Sequence, residues 1–201
     1  MAEVLIEIDE EEALQAEDDN LCGIDEAGRG SLAGPLVVAA VVLHQKIDRL
    51  ADSKQLTQKR REELYEKIIL SSSYKIIFTD NKTIDKIGLS KALKNSIQSI
   101  KDEFKSHNIL MDGNTNFGVE GVKSLIKADT KIPQVSAASI LAKVSRDRYM
   151  INISKKYPMY NFKKHKGYGT KAHIEAIKEF GYSDLHRKSF IIKNLNYPPL
   201  F

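Results

Sequence analysis

Asp25 and Glu26 stand side by side in the run Cys22-Gly23-Ile24-Asp25-Glu26-Ala27-Gly28-Arg29-Gly30, between apolar residues and a tight glycine pattern. Adjacent carboxylates at the end of an apolar run repel each other and lose hydration, a penalty that a divalent cation removes. Asp112, after Ile109-Leu110-Met111, and Asp129, after Ala128, complete a set of acids at or just beyond expected strand ends. If neighbouring strands bring those ends together, the carboxylates converge. Such hard oxygen donors suit Mg²⁺ or Mn²⁺. Two such ions about 3.5–4 Å apart can activate a water and stabilise the leaving oxygen of a phosphodiester. Each acid also has a purely structural reading. Asp112 before Gly113-Asn114 fits a turn, Asp129 fits a cap before a long helix, and Asp25–Glu26 could pair with Arg29.

Gly28, Gly30 and Gly34 invite comparison with a dinucleotide-binding loop, which runs from a strand through glycines into a helix N-terminus. Here the glycines lead through Pro35 into Leu36-Val37-Val38-Ala39-Ala40-Val41-Val42-Leu43, a strand sequence. The cofactor reading fails. Gly28 and Gly30 instead let backbone approach a ligand closely while Arg29 offers a fork of donors, or they form a plain turn.

These residues must be positioned by the elements around them. Segment 22–27 and Leu36–Leu43 read as a hairpin, and 74–79 as a third strand. Thr57 is a natural N-cap for a helix running to about Leu70. Leu89, Leu93, Ile97, Ile100 and Phe104 repeat at helical spacing over 88–104. Residues 109–111 form a short buried strand, 119–126 a short helix, and 128–133 a loop. A long helix spans 136–154, and Lys171–Phe180 forms one more. The pattern predicts an α/β domain over 21–155, a small helical C-terminal part over 156–201, and an acidic N-terminal segment over 1–20, where Val4-Leu5-Ile6-Glu7-Ile8 could form a short strand.

Charge points to the partner. The chain of 201 residues carries a net charge of +4, yet residues 1–20 hold nine acids and no lysine or arginine. The rest has 31 basic against 18 acidic residues, a net of +13. A body so basic suits a polyanion, although a solvated lysine-rich surface fits equally. The single cysteine, Cys22, excludes an internal disulfide and suggests a reducing compartment. The absence of a basic-then-apolar leader, and of any apolar run long enough to span a bilayer, favours a cytoplasmic protein without membrane contact.

Taken together these residues resemble ribonuclease HII, the bacterial type 2 ribonuclease H. Asp25-Glu26-Ala27-Gly28-Arg29-Gly30 with Leu32-Ala33-Gly34-Pro35 looks like its opening signature. Asp52-Ser53-Lys54 with Leu56 and Lys59-Arg60, then Met111-Asp112-Gly113-Asn114, fit its second and third blocks. Asp129 followed by Ser136-Ala137-Ala138-Ser139-Ile140-Leu141-Ala142-Lys143-Val144 and Arg146-Asp147 fits the fourth. His165-Lys166-Gly167-Tyr168-Gly169-Thr170 and His186-Arg187 with Ser189-Phe190 fit the C-terminal blocks.

The resemblance implies a ribonuclease H-like mixed five-stranded sheet flanked by helices, with a small helical C-terminal subdomain. It implies Asp25, Glu26, Asp112 and Asp129 as catalytic metal ligands. Gly28, Arg29 and Gly30 would recognise the 2′-hydroxyl at an RNA–DNA junction, the group that distinguishes RNA from DNA. Tyr168 would pack on the deoxyribose that follows. Ser31 stands where the family commonly has proline and is expected to loosen the turn slightly. The implied reaction is hydrolysis on the 5′ side of a ribonucleotide in RNA–DNA hybrids or ribonucleotide-containing duplex DNA, by a monomer.

Lys54, Lys143 and Arg146 are further substrate-contact candidates, the last two at i, i+3 on one helix; Arg146 alternatively pairs with Asp147 or sits near Asp25. Lys163, Lys164, Lys166 and Lys171 around Phe162 and Tyr168 suit gripping a strand. His165, His173 and His186 match no zinc spacing and read as structural. A sliding-clamp contact through Tyr197-Pro198-Pro199-Leu200-Phe201 is conceivable but matches no strict motif. The alternatives are another metal nuclease or strand-transferase of the same architecture and a non-catalytic hybrid-binding module.

Overall fold

The structure, a computed structural model, describes residues 20–48, 50 and 56–192. The expected strand at 4–8, Lys54 and the C-terminal 197–201 motif lie outside these residues.

An uninterrupted apolar run, Leu36–Leu43, is buried on both sides as one of the inner strands of the sheet. β1 (Leu21–Ala27) and β2 (Leu36–Leu43) pair antiparallel as expected, with Asp25 opposite Ala39. β3 (Ser72–Thr79) adds antiparallel to β2, and β4 (Asn108–Asp112) adds parallel to β1. β5 (Val122–Leu125) pairs parallel with β4, giving the order β3-β2-β1-β4-β5. This is the mixed five-stranded sheet that the sequence led us to expect.

Helices cover both faces. α1 (Gln58–Ser71) starts where Thr57 accepts a hydrogen bond from the Arg60 N–H. α2 (Asn81–Ile87), which the sequence reading missed, is capped by Asp80 Oδ1 accepting from the Thr83 N–H at 2.7 Å. α3 (Leu89–Glu103) lays Leu93, Ile97 and Ile100 on the layer containing Ile24, Val38 and Met111. After the single turn α4 (Ala128–Lys131), α5 (Pro133–Ile153) packs Ala137, Ala138 and Leu141 against Val37, Ala39 and Val41 on the opposite face. Its start presses so closely on β1 that a Cβ at Gly23 would overlap the backbone of Gln134 and Val135. Beyond a 3₁₀ turn (Pro158–Tyr160), α6 (Phe162–His165) and α7 (Lys171–Phe180) bury Tyr160, Phe162 and Ile177 with Ala33 and Met150.

Two local expectations are corrected. Segment 119–126 is a strand edge rather than a helix. Gly118 and Gly121 take φ of 70° and 73°, and the open edge of β4 offers a ladder that weak local helix propensity does not outweigh. Segment 128–133 is no loop, because α4 fills it. Its entry at Lys127, in the left-handed region with φ 59°, turns Asp129 back toward the sheet.

Candidate metal and nucleic-acid site

The parallel register of β1 and β4 sets Ile24 beside Met111, so the next residues, Asp25 and Asp112, emerge together at the sheet's end. α4 brings Asp129 to the same point. Each of the three offers a carboxylate oxygen, and these atoms all lie within 4.8 Å of one another. Asp25 and Asp129 are buried and Asp112 is partly so. Burial, foremost, pushes the Asp25 carboxyl up to about 8, and repulsion from Glu26 and Asp112 adds to this against an opposing Ser139 hydrogen bond. Hard oxygens, mutual repulsion and desolvation together fit a divalent cation.

Glu26 lines the same cavity but lies outside that trio. Successive strand residues face opposite sides of a sheet, so Asp25 points toward α5 and Glu26 away from it. Its carboxylate sits 3.8 Å from Arg29, a long ion pair that leaves room for metal work and for the pairing alternative alike.

The cavity, about 500 Å³, joins the acids to the 28–30 loop, Lys143 and Tyr168. Gly28 has φ 88°, and a Cβ there would overlap the Arg146 side chain packed beneath it. Gly28→Ala should therefore destabilise by about 1–2 kcal/mol from the left-handed backbone alone. A melting temperature unchanged within a degree would contradict this.

Arg146 corrects the sequence reading. It is fully buried, beneath the residues that line the cavity rather than on its surface. Its Nε donates to Pro35 O (2.9 Å), Nη1 to Lys166 O (2.9 Å), and Nη2 to Ser31 Oγ (2.7 Å) and Ala33 O (3.1 Å). A guanidinium can stay buried when its donors find such acceptors. Its charge forms no ion pair with Asp147; Lys143 does, at 2.7 Å, while keeping its place on the cavity wall. Ser31 also departs from expectation. Its hydroxyl donates to Gly28 O at 2.9 Å while accepting from Arg146, so it ties the turn rather than loosening it. From the other side Arg187 donates to Gly34 O (3.0 Å) and Arg29 O (3.1 Å).

Tyr168 is half-buried on the cavity wall, with the Arg146 guanidinium 5.1 Å and the Lys143 ammonium 6.0 Å from its ring. A buried imidazole chain holds its backbone. The Ser183 N–H can only donate, so His186 Nδ1 accepts (2.8 Å) and His186 Nε2 carries the proton given to His173 Nε2 (3.0 Å). His173 Nδ1 then donates to Tyr168 O (2.9 Å). Both rings are neutral. Burial, foremost, lowers His173 to about 4 and His186 to about 3. Between roughly pH 6.5, the unfolded value, and these lower values, the unfolded chain binds protons that the folded chain refuses. The stability from this pair is complete above that window and falls as pH falls through it. The melting-temperature advantage of the wild type over a His173→Asn/His186→Gln variant should therefore shrink from pH 7 to pH 4.5; a constant gap would refute the neutral chain.

Phe162, expected to grip a strand, is instead a core residue stacked on Tyr160 at 5.3 Å. The sequence reading also overlooked Arg61 and Ser139, which line the cavity. For Ser139 a signal existed. Ser139, Lys143 and Asp147 recur at i, i+4 as a polar stripe along one line of the helix. For Arg61 there was none, because α1 gives no local clue to which face meets the acids.

Among the described residues no helix is long and apolar enough to cross a membrane. Residues 22–193 match the family model described as Ribonuclease HII. Ribonuclease HII of Aliarcobacter butzleri (strain RM4018) is 62% identical over 178 residues, covering 88% of this chain and 93% of that protein. Ribonuclease HII of Sulfurovum sp. (strain NBC37-1) is 53% identical over 188 residues, covering 94% and 100%. The structure also resembles that of RNase HII in the PCNA:RNase HII complex from Archaeoglobus fulgidus, with a TM-score of 0.75, 30% identity, and coverage of 87% of this chain and 96% of that one. A mixed sheet with converging carboxylates at its end, matched by one family along nearly its whole length, places the chain in the ribonuclease HII family.

Proposed function

We propose that this endoribonuclease hydrolyses the RNA strand of RNA–DNA hybrids and cuts on the 5′ side of ribonucleotides embedded in duplex DNA, leaving 3′-hydroxyl and 5′-phosphate ends. The observation that carries the reading is the shared cavity in which the carboxylates of Asp25 and Asp112 face the 28–30 loop and Tyr168.

Asp25, Asp112 and Asp129 would hold Mg²⁺ or Mn²⁺, with Glu26 approaching from the opposite face of β1. The cation, when bound, supplies Lewis acidity and eases ionisation of the attacking water. The protein's own groups do the rest. Gly28, Arg29 and Gly30 bring donors to the 2′-hydroxyl at the junction. Gly30 is exposed, with open space around the position of a Cβ, so a sugar can approach its backbone. Tyr168 offers a ring to the following deoxyribose, and Lys143 an ammonium to a phosphate. The exposed Lys163, Lys164 and Lys171 extend the basic surface along the duplex.

The test is a labelled duplex with one ribonucleotide, a duplex with an RNA tract, and an all-DNA duplex, each with Mg²⁺ or Mn²⁺ and with EDTA. We expect EDTA-sensitive cleavage 5′ to the ribonucleotide and none of the DNA. Cleavage of the RNA tract alone would discard recognition of single ribonucleotides. Cleavage of all-DNA duplex would point to another nuclease chemistry, and tight hybrid binding without cleavage to a binding module.

A further inference from the structure

Arg29 is a long side chain, 49% exposed, on a glycine-flanked loop. Its guanidinium lies 5.4 Å from the centre of the Phe117 ring, within cation–π range. Glu26, three residues earlier, lies 3.8 Å from it, a long ion pair.

Phe117 arrives there in an unusual backbone state. Its φ of 54° falls in the left-handed region that a bulky aromatic residue rarely occupies, although Gly118 follows immediately. Strain of this kind persists only where surrounding bonds over-determine it. Thr115 Oγ1 accepts from the Phe117 N–H at 3.1 Å, and Asn116 Oδ1 accepts from the Gly118 N–H at 3.0 Å. Asn116 Nδ2 donates to Val122 O at 2.9 Å, anchoring the loop to β5. The half-buried ring packs against the apolar cluster of Ile24, Met111 and Val119. The ring thus covers that cluster with one part and meets the Arg29 guanidinium with its face. The same loop begins at Asp112, so one short segment carries an acid of the metal cluster at its start and the platform for Arg29 farther on.

We infer that Phe117 is a positioning residue for Arg29, its ring holding the guanidinium in the orientation that reads the ribonucleotide. The inference rests on the reading of Arg29 as a ribose-side contact. It extends substrate discrimination to a residue outside the glycine-flanked loop.

A double-mutant cycle tests it on the full chain, with kcat and KM measured on the single-ribonucleotide duplex. Phe117→Leu keeps apolar bulk against the sheet but removes the ring face. Phe117→Met serves as a second ring-less variant should the leucine variant misfold. We expect Phe117→Leu to lower kcat/KM by about two- to fivefold, the range of an exposed cation–π contact, and Phe117→Tyr to restore it. In an Arg29→Ala background, Phe117→Leu should cause no further loss. Equal losses in both backgrounds would mean the ring acts by packing alone, and would overturn the inference while leaving Arg29's role standing. An unchanged kcat/KM in Phe117→Leu would overturn it as well. If Arg29→Ala itself had no effect, the reading of Arg29 would fall and the inference with it.

Discussion

Asp112→Asn should lower kcat on a ribonucleotide-containing duplex by at least about 10²–10³-fold, the scale seen when one preorganised electrostatic group is removed from a reaction centre. The same variant should melt at a higher temperature than the wild type without divalent cation. Burial, foremost, then Glu26 and Asp112 push the Asp25 carboxyl up to about 8, and the amide removes the Asp112 share of the cost of holding that carboxyl in the folded state. Adding Mg²⁺ or Mn²⁺ should reverse the ranking. A cation at a hundred times its Kd stabilises a folded protein by about 2.7 kcal/mol, or about 5–11 °C for a domain of this size, and the variant should lose most of that rise. Below about pH 8 cation binding must displace a proton from Asp25, so affinity should climb with pH up to that point. Thermal melts with and without cation, run beside the cleavage assay, check each part. If Asp112 were only a turn residue, cleavage and cation response would both survive the substitution.

Arg146→Met should destabilise by about 3 kcal/mol or more, because the acceptors on Pro35, Lys166, Ala33 and Ser31 would lose a buried donor, each such loss costing about 1–3 kcal/mol. That corresponds to a melting temperature lower by about 6–12 °C. Arg146→Lys should rescue little, since an ammonium cannot reproduce the fork that joins segment 31–35 to Lys166. Cleavage should fall with stability, because the same donors hold the underside of the Gly28 turn and the carbonyl of Lys166 ahead of Tyr168. A surface phosphate contact behaves differently. It would leave the melting temperature alone, raise KM and flatten the salt dependence, and that outcome would reinstate Arg146 as a substrate contact.

Much of the frame was legible in the chain. Leu36–Leu43 is apolar throughout, short and valine-rich, which favours a strand buried on both faces. Thr57 three residues before Arg60, and the apolar spacing of Leu93, Ile97 and Ile100, announce α1 and α3 by local chemistry. The acids were legible for the same reason, since a carboxylate at the end of an apolar strand is conspicuous wherever the strand goes. Even α2 carried a readable signal in the Asp80 cap, which the reading passed over.

Other features depended on contacts between distant segments. β5 pairs along the edge of β4, and α4 brings Asp129 to the carboxylates of β1 and β4; neither arrangement is local. Which of two adjacent acids joins the trio depended on the face of β1 that α5 covers, so Asp25 entered it and Glu26 did not. Arg146 looked like a phosphate ligand because a helix pattern shows a residue's face but not what lies against it. Only folding brought Pro35, Lys166 and Ser31 around its guanidinium. In the same way His173 and His186, apart in sequence, became one hydrogen-bonded chain ending at Tyr168. The sequence by itself determined the chemistry available, through residue types at element ends. The tertiary structure decided which of those groups face the cavity and which hold it in shape, because that choice is made by burial and hydrogen-bond partners that are distant in the chain.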